Sequence, residues 1–351
     1  MKIGILTASR TDNNGTDLQA MAMLNLFNRI GAKEVELIDY ECKKIESSKH
    51  LLNIRSLRSI VYFPLTLCLH YKHKFFRKKY FRKSINKYNE VTIISAKYDK
   101  IVVGSDQIWN LSITGDDLTF FLPFEIPCLK KYSYAASIGR EDIQSWEKEY
   151  QLSNKLREFK TVSVREESAV NTLSKIGINA RYDLDPILMG SIEDWHLFIK
   201  NKRKRKYVLL YFLEARPSVL LDAKSYAQSK GLEVINICTT LKCYNGIKTY
   251  RCVGIEEWLN LVANAEIIYT SSYHCISFAI LFNKPFCLVP LEKSIQSNSR
   301  MLDLVRRLAL DKCVYSESYN HSMVINWNLV NERLTYLRTL SEQYVKSIIK
   351  D

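Results

Sequence analysis

Short runs of Val, Ile and Tyr alternate with longer segments of helical period along this chain, and the alternation stops once and starts again. Strands buried on both faces read as continuous apolar runs, because the helices that connect parallel strands cover both sides of the sheet. Residues 2–7, 34–39, 100–103, 133–136 and 161–165 are therefore the expected strands of a first unit, with helices at 17–30 and 145–159. Residues 207–212, 233–237, 267–270 and 286–289 are those of a second, with helices at 217–230, 255–265 and 274–282. Between the two, residues 200–206 read Lys-Asn-Lys-Arg-Lys-Arg-Lys, and six like charges in seven positions repel one another and bury poorly. The expectation is an α/β protein of two Rossmann-like domains facing a cleft, each a parallel sheet with helices on both faces. The N-terminal domain takes residues 1–190, a basic linker 191–206 and the C-terminal domain 207–325. A terminal helix at 326–351 could cross back to the first domain.

Composition excludes several alternatives. With 47% hydrophobic residues and only 11 Gly and 7 Pro in 351 positions, the chain is neither collagen-like nor disordered. Its longest apolar-rich stretch, residues 59–70, carries Pro64 and is about half the roughly 20 residues needed to span a bilayer. The N-terminus lacks a signal-type apolar region, so a cytoplasmic location is expected, with peripheral contact at the inner face of a membrane left open. Nine cysteines, an odd number without a CxxC pair, suit neither a disulfide framework nor a zinc site. Most of them read as small core residues in a reducing compartment, and no metal cluster is visible in the sequence.

Ligands of such sheets sit at the carboxyl ends of the strands, and three strand ends carry polar residues that a core would not select. The first is Thr11 to Thr16, where Asn14-Gly15 lets the backbone approach a ligand at a helix N-terminus; an ordinary turn is the alternative. The second is Gly104-Ser105-Asp106-Gln107-Ile108-Trp109-Asn110, which could wall a pocket for a polyhydroxylated molecule. A helix cap with Trp109 in the core is the competing reading. The third is Tyr269-Thr270-Ser271-Ser272-Tyr273-His274-Cys275, where hydroxyls at a helix start could bind an anion beside an imidazole suited to proton transfer; a structural histidine is the alternative. Arg165 ends another apolar strand and could grip a carboxylate or phosphate in bidentate fashion, or pair with Glu166 or Glu167; Arg300 is a second candidate of that kind.

A net charge of +14, from 51 Lys and Arg against 37 Asp and Glu, raises the question of polyanionic partners. Residues 71–87 hold eight basic side chains and no acid, interleaved with Phe75, Phe76, Tyr80 and Phe81. That spacing fits an amphipathic helix better than a base-stacking platform, which favours contact with an anionic membrane surface over nucleic acid. A solvated helix that covers the domain is the plainer alternative.

Several motifs occur in the order seen in one known family: Asn13-Asn14-Gly15 with Leu18-Gln19-Ala20, the Gly104 to Asn110 run, and Tyr134-Ala135-Ala136-Ser137-Ile138-Gly139. Ser163-Val164-Arg165-Glu166, Asp185-Pro186, and Ser272-Tyr273-His274 through Asn283-Lys284-Pro285-Phe286 follow. Up to about Leu310 the chain resembles the polysaccharide pyruvyl transferases. The resemblance implies a GT-B-like fold and transfer of a pyruvyl group from phosphoenolpyruvate to a sugar hydroxyl pair as a cyclic ketal, with no separate cofactor. A GT-B glycosyltransferase using a nucleotide sugar is the nearest rival. By analogy the C-terminal half holds the donor and the N-terminal half a glycan or lipid-linked oligosaccharide acceptor. His274 falls on the family's donor-site histidine and is expected to bind phosphate and act as acid, with Asp106 as acceptor-side base. Arg165, Ser271, Ser272, Arg300, Asn14, Gly15, Gln107, Asn110 and Ser137 are the expected substrate-binding residues, His274 and Arg165 converging on one small acid. The chain departs from the family's usual pattern in having Ser271 for an aspartate and Cys275 for a glycine.

Overall fold

The computed structural model describes residues 1–48, 57–81, 85–87, 97–123, 127, 130–200, 205–214, 216–238, 244–293 and 295–350. The chain divides into two units. The first is Met1–Lys49, Phe76–Met189 and Arg333–Asp351; the second is His50–Phe75 and Gly190–Glu332.

The first unit opens with β1 (Lys2–Leu6), α1 (Asn14–Ile30), β2 (Glu34–Asp39) and α2 (Lys43–Ser48). The long helix α3 (Leu57–Tyr80) leads to β3 (Ile85–Lys87) and β4 (Lys100–Val103), then to α4 (Leu111–Thr114) and β5 (Lys131–Ser133). These strands form a parallel sheet in the order β3-β2-β1-β4-β5, with Ile3 opposite Val35 on one side and Gly4 opposite Ile101 on the other. The order reverses between β1 and β4, so their carboxyl ends flank the crevice such sheets use for ligands. Helices α5 (Gln144–Tyr150) and α6 (Leu152–Leu156) follow, then β6 (Val162–Val164), α7 (Glu167–Ser174), β7 (Ala180–Tyr182) and α8 (Pro186–Met189). The pair β6-β7 continues from β5 through bridges at Tyr132–Thr161 and Ala136–Val164.

Local chemistry explains where these elements begin and stop. Helix α1 starts earlier than the expected residue 17 because the Asn13 side chain accepts the amides of Gly15 (2.8 Å) and Thr16 (3.3 Å). It stops at Gly31, whose φ of 106° lets its amide and that of Ala32 turn back onto the carbonyls of Asn28 and Phe27. The single helix expected at 145–159 is two, because Gln151 adopts a left-handed φ of 50° between them.

The second unit carries β8 (Tyr207–Tyr211), α9 (Pro217–Ser229), β9 (Glu233–Ile237), β10 (Lys248–Tyr250), α10 (Ile255–Asn264), β11 (Ile267–Thr270), α11 (Tyr273–Leu281), β12 (Phe286–Leu288) and α12 (Ser299–Arg307). Its parallel sheet runs β10-β9-β8-β11-β12, and the reversal falls between β8 and β11. The expected linker at 191–206 requires correction. Ser191 and Asp194 form a capping box for a short 3-10 helix, Ile192–Phe198, whose Trp195 and Phe198 are buried. Trp195 packs edge-on against Phe278 at 5.0 Å, so this segment belongs to the second unit; residues 201–204 lie outside the described residues.

The last helix, α13 (Trp327–Lys350), joins the first unit from Arg333 onward. There Tyr344 donates to the Ser133 carbonyl (2.8 Å), Arg338 Nε to that of Leu188 (2.6 Å), and Ser341 Oγ accepts the Leu184 amide (3.0 Å). Within the second unit, Cys68 of α3 and Cys252 are joined as a disulfide, a pairing that the reading of most cysteines as small core residues did not identify. The two are 184 residues apart, so no spacing rule reveals them. Cys42, Cys275, Cys287 and Cys313 are buried and free, and Cys238 is partly exposed; Cys128 and Cys243 lie outside the described residues.

Two glycine substitutions separate backbone strain from steric clash. A Cβ on Gly104 (φ 134°) would lie 2.0 Å from the Tyr134 carbonyl oxygen, whereas one on Gly31 meets nothing within 4 Å. Gly31→Ala is expected to cost about 1–2 kcal/mol from backbone conformation alone. Gly104→Ala adds a collision with backbone that cannot move, about 3 kcal/mol or more in all, read from urea unfolding midpoints.

Candidate functional site

Each unit gathers polar side chains at the carboxyl ends of its central strands. In the first, three loops meet. Asp106, at a left-handed φ of 62°, accepts the Thr16 hydroxyl at 2.7 Å through Oδ2. Its Oδ1 accepts the Gln107 amide at 2.8 Å and lies 3.5 Å from Arg165 Nη2. Arg165 Nη1 bonds Asp185 at 2.9 Å, and Asp185 also accepts Ser105 Oγ at 3.3 Å. Ser137 donates its hydroxyl to Glu166, which takes the Gly139 amide as well at 3.2 Å. Thr7 completes the seam by donating to the Ser105 carbonyl at 3.3 Å and to Gln19 Oε1 at 3.2 Å.

This arrangement brings together Asn14, Gly15, Asp106, Gln107, Asn110, Ser137 and Arg165 within one unit, but several serve differently from expectation. The Arg165 side chain has no solvent exposure and lies between the carboxylates of Asp106 and Asp185. The amides of Gly15 and Thr16 are taken by Asn13, and Arg77 lies 3.2 Å from Asp12 and 3.5 Å from Asp17. The Asn14 side chain is buried, and its Oδ1 has no hydrogen-bond partner among the described residues. Asn110 Oδ1 caps α4 by accepting the Ser112 amide at 3.1 Å while its Nδ2 donates to Gln107 Oε1 at 2.9 Å. Trp109 is a core residue, bonded to the Phe120 carbonyl at 2.9 Å and stacked on Phe121, not a pocket wall. Thr16, Glu166 and Asp185 were not singled out from the sequence; their positions inside ordered motifs were the available signal.

In the second unit, β11 runs into helix α11. Ser271 is buried and its Oγ accepts the Leu213 amide at 2.8 Å, pinning the loop after β8 to the tip of β11. A hydroxyl is enough for that bond where the family's usual residue is a carboxylate. Ser272 is the N-cap: its Oγ accepts the Cys275 amide at 3.4 Å and its own amide donates to Thr270 Oγ1 at 3.1 Å. His274 sits in the first turn, 7% exposed, with its ring edge-on to Tyr273 at 5.6 Å. The Arg300 guanidinium lies 5.9 Å from the centre of the same Tyr273 ring, held by Nε donating to the Ser297 carbonyl at 3.2 Å. Ser271, Ser272, His274 and Arg300 thus share this unit, and Arg165 belongs to the other. Ser272 at the cap and His274 in the first turn thus stand at the positive end of the α11 dipole, with Arg300 beside the Tyr273 ring. Among the described residues, no group of three or more His, Cys, Asp or Glu is placed to hold a metal ion.

Two consequences can be measured. Arg165→Ala leaves two carboxylates facing each other without their cation, and is expected to cost about 3–5 kcal/mol of stability. Burial pushes the Cys275 thiol up to about 12, so the thiolate fraction at pH 8 is about 10⁻⁴. Cys275 should resist iodoacetamide in the folded protein and react only after unfolding, as read by peptide mass spectrometry.

Comparison with known proteins agrees with this architecture. An alpha-glucosyltransferase solved with UDP-glucose and DNA containing an abasic site superposes with a TM-score of 0.50 at 9% identity, covering 99% of this chain and 94% of that one. A UDP-GlcNAc 2-epimerase from Neisseria meningitidis, solved with UDP-GlcNAc, gives a TM-score of 0.49 at 11% identity, again over 99% and 94%. The similarity is one of fold, and the expected α/β class with GT-B-type parallel sheets and helices is borne out. No curated protein matches the sequence. The model of the polysaccharide pyruvyl transferases matches residues 13–292, four-fifths of the chain and all the motifs described above, and the chain belongs to that family.

Proposed function

We propose that this protein transfers a pyruvyl group from phosphoenolpyruvate to two hydroxyls of a sugar, in a polysaccharide or lipid-linked glycan, closing a cyclic ketal. Membership of the family supports pyruvyl transfer to a glycan. The observation that carries the assignment of substrates is the difference in charge between the two strand-tip clusters. The first holds Asp106 and Asp185 against one arginine and sets Glu166 against Ser137 and Gly139, which suits a neutral, hydroxyl-rich acceptor and repels a multiply charged acid. The second offers His274, Arg300 and the start of α11, which suits a carboxylate and a phosphate.

The chemistry assigns each group a task. His274 binds the donor phosphate and delivers a proton to the methylene carbon, leaving the adjacent carbon electron-poor. One sugar hydroxyl oxygen bonds to that carbon while its proton passes to Asp106. The second hydroxyl oxygen then adds as the bond to phosphate breaks, and its proton leaves with inorganic phosphate. Each proton-transfer role typically contributes about 10² to 10⁴ in rate.

Thermal unfolding with candidate donors tests the reading. Phosphoenolpyruvate is expected to raise the midpoint of the wild-type protein and to protect His274→Ala and Arg300→Ala less. Folded His274→Ala and Asp106→Asn proteins should lose about 10² to 10⁴ in formation of pyruvate ketals, followed by mass spectrometry of the glycan. Protection by UDP- or GDP-sugars and none by phosphoenolpyruvate would make the protein a nucleotide-sugar glycosyltransferase. Wild-type transfer by both variants would equally sink the proposal.

A further inference from the structure

Helix α3 leaves one face outward that the proposed chemistry does not use. Ile60 and Phe75 are 53% and 68% exposed, and Val61 and Tyr71 are exposed as well, while His73 and Phe76 on the other side are buried. Ile60, Pro64, Tyr71 and Phe75 recur at steps of four, seven and four, which is one stripe of a 3.6-residue helix about 22 Å long. Lys74, Lys78 and Lys79 stand exposed along its edge, with Lys74 Nζ 6.0 Å from the centre of the Tyr71 ring. The helix contains no acidic residue. An ordinary solvated helix face mixes charges of both signs, whereas an apolar stripe bordered by cations alone is what a helix lying in a lipid headgroup layer needs. It does not cross the layer: Pro64 sits inside it, and no described helix is long and apolar enough to span a membrane.

We infer that this face of α3 docks the protein on an anionic bilayer surface, with Ile60, Val61, Tyr71 and Phe75 entering the headgroup region and Lys74, Lys78 and Lys79 meeting lipid phosphates. Charge complementarity selects this partner. A second copy would bring the same lysines together, and the aliphatic Ile60 and Val61 extend the face with surface that a lipid layer buries and base stacking does not use. The inference stands apart from the assignment of the donor, because its test needs no turnover.

The test is co-sedimentation of the full chain with vesicles of phosphatidylcholine alone or mixed with phosphatidylglycerol. Binding is expected only to the mixed vesicles and should weaken as salt rises. Lys74, Lys78 and Lys79→Gln together should lower partitioning about 100-fold at low salt, and Phe75→Glu by about tenfold. Lys230, Lys312 and Lys350→Gln, three exposed lysines elsewhere, remove the same charge and should change partitioning far less. The proposal is overturned if wild type ignores anionic vesicles, or if the two lysine triples weaken binding equally. It is likewise overturned if the α3 lysines bind single-stranded RNA and no vesicles, or if Phe75→Glu abolishes a dimer instead.

Discussion

The Arg165 guanidinium, closed off from solvent between Asp106 and Asp185, is the contact on which the first unit's site depends. Taking three charges out of water costs several kcal/mol for each, and their attraction offsets that only when all three are in place and hydrogen-bonded. The strand tips that supply them therefore cannot shift independently. The loop after β4 brings Asp106, Arg165 directly follows β6, and the segment after β7 brings Asp185. Thr16 and Ser105 add the first turn of α1 and the turn after β4 to the same network. Asp106 is thus held at a set position and orientation, which is the condition for a group to take part in proton transfer without reorganising.

The second unit reaches a comparable order by other means. Its site is organised by hydroxyls: Thr270, Ser271 and Ser272 engage the Tyr211 carbonyl, the Leu213 amide and the Cys275 amide in turn, and hold the tip of β11 against that of β8. Both departures from the family's usual motif are consistent with this role. Ser271 keeps an acceptor where a carboxylate is usual, and Cys275 is fully buried in the first turn of α11, so its thiol packs as a small apolar group. One unit concentrates negative charge and the other positive character, although both place their polar groups at the point where strand order reverses.

Much of this was legible in the sequence, for identifiable reasons. Strands such as Lys100–Val103 and Ile267–Thr270 announce themselves because a buried parallel strand has no solvent face on which to place polar residues. The polar runs at residues 104–110 and 270–275 were recognisable as strand ends because they break abruptly from such apolar stretches. What Arg165 does was not legible, since its choice of partner depends on Asp106 and Asp185, 59 and 20 residues away. Nor could spacing reveal that residues 50–75 belong with the second unit, or that Trp195 and Phe198 turn an expected linker into a packed helical segment.

Periodicity and local punctuation by themselves determined the α/β class and the polar loops at the strand ends, because these follow from interactions between residues near one another in the chain. Only the tertiary structure decided which charges neutralise each other, which cysteines meet and which hydroxyls cap or cradle. Those outcomes depend on which side chains a twisted sheet brings within a few ångströms, and a linear pattern carries no record of that distance.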